Sequence, residues 1–204
     1  MKRIGIVDYG VGNLFSLRSS LTAIGAEPVV SGDGAVLAAC ERIILPGVGA
    51  FGDAADKLRQ SGLDRFLYEQ AAAGKPLMGI CLGMQLLFEK SYEFGEHQGL
   101  GLLRGSVIPM ADRIPKDAKV PQIGWNALQI LRDDPIFKYV QNGEYVYYVH
   151  SYYGKHCAAA TLAVSEYAVP VTGVVRMGKV YGMQFHPEKS GDTGLRLLKA
   201  FAEL

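Results

Sequence analysis

Apolar residues in this chain follow two kinds of spacing, and the kind changes near the middle. In the first half, short unbroken apolar runs alternate with stretches of helical period. Residues 4–7 form such a run and read as a first, central strand. Residues 14–24 carry apolar side chains at helical spacing, follow Asn13 as a candidate N-cap, and stop at Gly25. Residues 27–30 and 42–45 read as strands. Residues 53–59 and 63–73 read as helices parted near Ser61-Gly62. Residues 76–80 read as a buried strand, and residues 84–90, all tolerable or good helix formers, as the helix after it. Strand, helix, strand at the start favours a parallel sheet with right-handed crossovers.

Residues 91–105 are rich in glycine and charge and read as a loop. Between residues 107 and 180 short β-branched and aromatic runs recur, at 123–131, 145–153, 162–164 and 171–177. These read as strands, several of them antiparallel, with turns at Asp133-Asp134-Pro135 and Met177-Gly178-Lys179. A last strand covers 180–185. Pro187 disfavours a helix starting there and keeps His186 extended. Residues 190–204 read as a closing helix with Ser190 or Asp192 as cap and Leu195, Leu198, Phe201 and Ala202 as its apolar stripe. The expected fold is a single α/β domain over residues 1–204. Its central sheet is mixed, mostly parallel and flanked by helices, and the second half adds a β-rich antiparallel portion.

Composition narrows the function. The chain has 204 residues, 49% of them hydrophobic and 20% charged, enough for one globular domain with a full core. A formal net charge of +1 gives no broad pull toward nucleic acid or an anionic membrane, so neither is expected as a partner. The apolar run after Met1 is too short for a signal peptide, and none approaches the roughly 20 residues of a membrane span. Cysteines stand at 40, 81 and 157. An odd count without a secretion signal argues for a reducing cytoplasm. No C-x-x-C or His/Cys cluster suggests zinc, and no metal or cofactor is expected. Gly10-Val11-Gly12 lacks the third glycine of a dinucleotide fingerprint.

The densest chemical signal is Gly79-Ile80-Cys81-Leu82-Gly83, between the strand at 76–80 and its helix. A residue turned sharply from strand to helix is strained and needs small neighbours two positions away. Such a turn holds the sulfur above the sheet end, beside free backbone N–H groups that favour thiolate and can hold an oxyanion, that of Leu82 first. The same five residues would also suit a buried structural cysteine. Three glycines in Pro46-Gly47-Val48-Gly49-Ala50-Phe51-Gly52 can expose further N–H groups at a strand end, or simply make a flexible loop. Among the four histidines, His97 and His156 lie in irregular context and His150 in a strand. His186 follows a buried strand and has Glu188 two residues on. Cysteine chemistry needs a thiolate, a base in reach and a group that fixes the base's tautomer. Cys81, His186 and Glu188 fit those roles in that order. Cys40 and Cys157 read as incidental, and Trp125, the only tryptophan, suits a core or an interface equally.

Gly79 to Gln85 together with Phe185-His186-Pro187-Glu188 resembles the class I (triad) glutamine amidotransferase family. Within it the chain is similar to the glutaminase subunits of imidazole glycerol phosphate synthases, through Asp8-Tyr9-Gly10-x-Gly12-Asn13, Pro46-Gly47-Val48-Gly49, Gly124-Trp125-Asn126, Val149-His150-Ser151-Tyr152 and His186-Pro187-Glu188-Lys189-Ser190. Gln122-Ile123 departs from the His and Met often found there. The resemblance implies that Cys81 forms a glutamyl thioester, with His186 and Glu188 moving the proton. Leu82, Val48 and Gly49 would supply the oxyanion hole. Gly49, Gln85, Ser151 and Tyr152 would hold glutamine. It also implies a separate (β/α)8-barrel cyclase subunit that receives the ammonia, with Asn13, Trp125, Tyr148 and the loop from Tyr9 to Asn13 on the partner surface. A flip of the Gly47-Val48 peptide would be the activation switch. Two rivals stay open: the amidase subunit of pyridoxal phosphate synthase, and a binding subunit without turnover.

Overall fold

The computed structural model describes residues 2–204. In chain order the strands and helices of the first half are β1 (Arg3–Val7), α1 (Leu14–Ala23), β2 (Glu27–Ser31), α2 (Gly34–Ala38), β3 (Arg42–Leu45), α3 (Phe51–Gln60), α4 (Leu63–Ala72), β4 (Leu77–Ile80) and α5 (Leu82–Leu86). The second half holds β5 (Phe88–Ser91), β6 (His97–Gln98), β7 (Leu103–Pro109), β8 (Gln122–Ala127), β9 (Gln129–Ile130), β10 (Tyr145–His150), β11 (Tyr152–Lys155), β12 (Thr161–Glu166), β13 (Pro170–Met177), β14 (Val180–Met183) and α6 (Gly191–Glu203).

The main sheet has eight strands in the order β2-β1-β3-β4-β14-β13-β12-β9. β2, β1, β3, β4 and β14 run parallel, and β13, β12 and β9 are antiparallel additions. The mixed sheet expected from the change of pattern is therefore present. Alternation along each strand feeds two cores. Ile44, Met78 and Ile80 face the layer of α1 and α6. Ile43, Leu45 and Leu77 face the layer of α3 and α4.

Several local expectations are corrected. β1 is not central: it lies second from the edge, and β4 takes the middle between β3 and β14. The helix expected over 84–90 ends at Leu86, because Phe88 is buried and β5 joins a four-stranded sheet in the order β11-β7-β5-β6. The loop expected over 91–105 accordingly contains β6 and the start of β7. The run 145–153 breaks at Ser151, since β10 pairs with β8 and β11 with β7 in another sheet. The run 123–131 breaks at Leu128, whose N–H turns to the Glu144 carbonyl 2.8 Å away. α2 was invisible to the spacing. A short 3-10 turn does start at Pro187, which tolerates the first helical position, while His186 stays extended as expected. Ser190 stands at the N-cap of α6 without capping it. Its hydroxyl donates to the His186 carbonyl at 2.6 Å and accepts the Tyr147 N–H at 2.9 Å. Of that helix's expected stripe, Leu198, Phe201 and Ala202 are buried but Leu195 only partly, and Leu197 is fully buried in addition.

Candidate active site

Cys81 follows β4 with φ 54° and ψ −112°, a conformation costly for any residue with a side chain. Its neighbours explain why both flanking glycines are needed. A Cβ on Gly79 would stand 2.5 Å from the Gly83 carbonyl oxygen, and one on Gly83 would collide with the Leu45 carbonyl. The strand and α5 thus double back in van der Waals contact, with Cys81 at the apex. The Leu82 N–H opens α5 and has no acceptor within the helix.

β4 and β14 are parallel neighbours, with Gly79 beside Gly182 and Ile80 beside Met183. The Cys81 N–H continues that ladder to the Met183 carbonyl at 2.7 Å. Cys81 after β4 and His186 after β14 are therefore delivered to one sheet edge. The register alone brings together residues 105 positions apart in sequence (186 less 81).

The His186 ring is 3% exposed, and its Nδ1 lies 2.8 Å from Glu188 Oε1. Nδ1–H donates to the carboxylate, which leaves Nε2 as the working atom. Burial opposes a charged ring, but Cys81 and Glu188 outweigh it and raise the His186 pKa to about 10. The charged form of the ring is therefore favoured. In the opposite sense, burial first, then the nearby His186, lowers the His150 pKa to about 4 against the pull of the Tyr152 carbonyl. That carbonyl accepts from His150 Nδ1 at 2.8 Å and from Gln85 Nε2 at 2.9 Å.

Cys81 and His186 open into a cavity of about 500 Å³. Val48, Gly49, Leu82, Gln85, Ser151 and Tyr152 line it. Every residue expected to hold an oxyanion or glutamine is thus at the cavity. Gln85 is 5% exposed, and its Nε2 is already occupied by Tyr152 and Gln184. It braces the wall as well as facing the space.

Several residues at or beside the cavity were not expected there, and three of them bear on its chemistry. Gln184 is fully buried, with Nε2 3.9 Å from the Cys81 sulfur; its place two residues before His186 was the available signal. Glu93 lines the cavity, accepts the Phe51 N–H at 2.6 Å, and has its pKa raised by burial. Phe94 stands 85% exposed at the rim, edge-on to Tyr152. Both lay in the stretch read as featureless loop.

Of the expected partner-surface residues, Trp125 is 52% exposed and packs edge-on against Tyr147. Asn13 is half-buried, and its side chain caps α1 through the Ser16 N–H. Tyr148 is a correction. It is fully buried, its hydroxyl donates to Ser165 Oγ at 2.9 Å, and its ring packs on Phe185. Strand alternation turns Tyr147 outward and Tyr148 inward. Tyr9 is likewise buried, so it presents no side chain to a partner. Gln122, the departure from the family pattern, is buried opposite His150 and donates to Asn126. Cys40 and Cys157 are buried free thiols outside the cavity.

Residues 6–203 match the family model described as glutamine amidotransferase class-I. A protein named imidazole glycerol phosphate synthase subunit HisH, from Wolinella succinogenes, is 48% identical over 98% of this chain and 99% of its own length. The protein of that name from Caldanaerobacter subterraneus subsp. tengcongensis is 45% identical over 98% of each chain. Among solved structures, one described as PurLQS from Thermotoga maritima superposes with TM-score 0.77 at 22% identity, covering 99% of this chain and 98% of that one. At that identity the likeness is one of fold.

Proposed function

The chain belongs to the class-I glutamine amidotransferase family, and on that premise we propose that it is the glutaminase subunit of an imidazole glycerol phosphate synthase. The observation that carries the chemistry is the meeting of Cys81 and His186 across the β4–β14 register, with Glu188 behind the ring. The sulfur attacks the side-chain amide carbon of glutamine. The oxyanion forms against the Leu82 N–H and the N–H groups of Val48 and Gly49. His186, having taken the thiol proton, gives it from Nε2 to the departing ammonia. A water deprotonated by His186 then attacks the thioester. Glutamate leaves and the thiol is restored.

Gly49, Gln85, Ser151 and Tyr152 hold the glutamine, and Glu93 supplies negative charge suited to its α-ammonium group. Ammonia released in water is mostly protonated and no longer nucleophilic, so it must pass straight to an acceptor site. The partner is a (β/α)8-barrel cyclase subunit. It joins the ammonia to a phosphorylated ribulosyl aminoimidazole carboxamide, giving imidazole glycerol phosphate and an aminoimidazole carboxamide ribotide for histidine synthesis. Trp125, outward on the β8–β10 ribbon, and Asn13 face it. We place the pair in the cytoplasm, where three free thiols stay reduced.

Glutamate release from glutamine tests this reading, measured on the chain alone and with the cyclase and its nucleotide substrate. A low rate alone, a large rise in the loaded complex, and loss of that rise in Cys81→Ala are expected. No turnover in any condition would reduce the chain to a binding subunit, and full activity without the cyclase would remove the gated partnership.

A further inference from the structure

The loop between β3 and α3 is pinned at both ends by side chains from elsewhere. At its start the Tyr9 hydroxyl donates to the Pro46 carbonyl at 2.9 Å. At its end the Phe51 N–H donates to Glu93. Between the pins, the amides of Gly47, Val48 and Gly49 donate no hydrogen bond among the described residues. Val48 is 44% exposed and Gly49 has φ 94°. The tip is thus free to turn, and its orientation depends on where the pins hold it.

Tyr9 is placed to do more than fill space. It lies just beyond β1, is 6% exposed, and its ring packs in the core beneath the loop. Its hydroxyl reaches the seam where the two cavity loops meet. A Cβ on Gly47 would stand 2.9 Å from that hydroxyl, 2.8 Å from the Gly83 N and 3.0 Å from the Leu82 Cβ. The seam joins the peptide plane of Pro46-Gly47 to the turn that carries Cys81. Burial, and then the nearness of Cys81, push the Tyr9 pKa up, so the phenol keeps its proton and remains a donor. A carbonyl held by that donor fixes the Pro46-Gly47 plane. Only rotations beyond it then remain to aim the Val48 and Gly49 N–H groups.

We propose that Tyr9 is a positioning residue for the oxyanion hole, its hydroxyl anchoring the Pro46 carbonyl so that the next amides of the loop face the Cys81 turn. The proposal rests on the reading of that loop as half of the oxyanion hole. It predicts a specific split. Glutamine hydrolysis develops an oxyanion, whereas alkylation of Cys81 by iodoacetamide is a displacement at carbon that expels iodide and develops none. Tyr9 should matter to the first reaction and not to the second.

The experiment compares wild type with Tyr9→Phe in the complex with cyclase and nucleotide substrate. It reads kcat and KM for glutamine, the alkylation rate of the Cys81 peptide by mass spectrometry, and the melting temperature. Loss of the anchor is expected to lower kcat about tenfold while KM and the alkylation rate stay within about twofold. An unchanged kcat overturns the proposal. A parallel fall in kcat, alkylation and melting temperature also overturns it, because Tyr9 would then be only a structural support. A wild-type complex that leaves glutamine intact overturns the function reading and this proposal with it. Normal wild-type turnover matched by Tyr9→Phe overturns this proposal alone.

Discussion

His186 Nδ1 and Glu188 Oε1 stand 2.8 Å apart with both side chains under 5% exposed. The carboxylate fixes which ring nitrogen carries the proton and helps hold the ring charged. Glu188→Gln keeps the shape and removes the charge. It should lower kcat for glutamine about a hundredfold. In an NMR titration the wild-type His186 ring should stay protonated toward pH 10, and the variant ring should lose its proton at lower pH. An unchanged titration would remove Glu188 from this role.

Cys81 sits at positive φ, where glycine is free of strain and every side chain is not. Cys81→Gly should abolish thioester chemistry and yet raise unfolding free energy by about 1 kcal/mol, strain relief exceeding the added chain entropy. Urea unfolding of the two proteins measures the difference. A destabilised glycine variant would mean that the turn is not strained.

The reverse holds at Gly79, whose missing Cβ leaves room for the Gly83 carbonyl and the Met84 N. Both obstructing groups are backbone and neither can swing aside. Gly79→Ala should cost about 3 kcal/mol. Cys81 alkylation in whatever variant folds should slow, because the turn would open.

The two histidines near the cysteine respond to pH with opposite sign. His186 has its pKa raised in the folded state, so its contribution is full below its ordinary value near 6.5 and is lost as pH rises through about 10. His150 has its pKa lowered, so its contribution is present above 6.5 and lost as pH falls through about 4. The groups that face it are the His186 ring, the Tyr152 carbonyl, the Tyr148 ring and Gln122 across the ribbon. His150→Gln should therefore lose less stability than wild type between pH 6.5 and 4, by up to about 3 kcal/mol. Denaturant unfolding at several pH values checks this, and identical slopes would show that His150 carries no such linkage.

Trp125 is exposed and meets the Tyr147 ring edge-on. Trp125→Ala should change the stability of the free chain by about 1 kcal/mol or less while weakening cyclase binding at least tenfold. Calorimetric titration with the cyclase reads the second effect. Unaltered affinity would move the interface elsewhere.

Local chemistry was legible in the chain wherever a residue's role depended on near neighbours. Gly79, Cys81 and Gly83 announced a tight strand-to-helix turn because close backbone approach tolerates no Cβ. His186 and Glu188 announced an oriented base because two residues of extended chain and turn put them within reach. The parallel first half showed in its alternation of apolar runs and helical spacing. What failed were choices made between distant partners. Phe88 became a strand and not a further turn of helix because β7 offered it a ladder and a core. Tyr148 turned inward and Tyr147 outward because the register of β10 on β8 decides which face meets Phe185. Glu93 and Tyr9 reached the cavity loop from segments whose own spacing says nothing about it. Which residues could react followed from side-chain type and local backbone alone. Which of them meet depended on long-range pairing, since β4 beside β14 sets one sheet edge for Cys81 and His186.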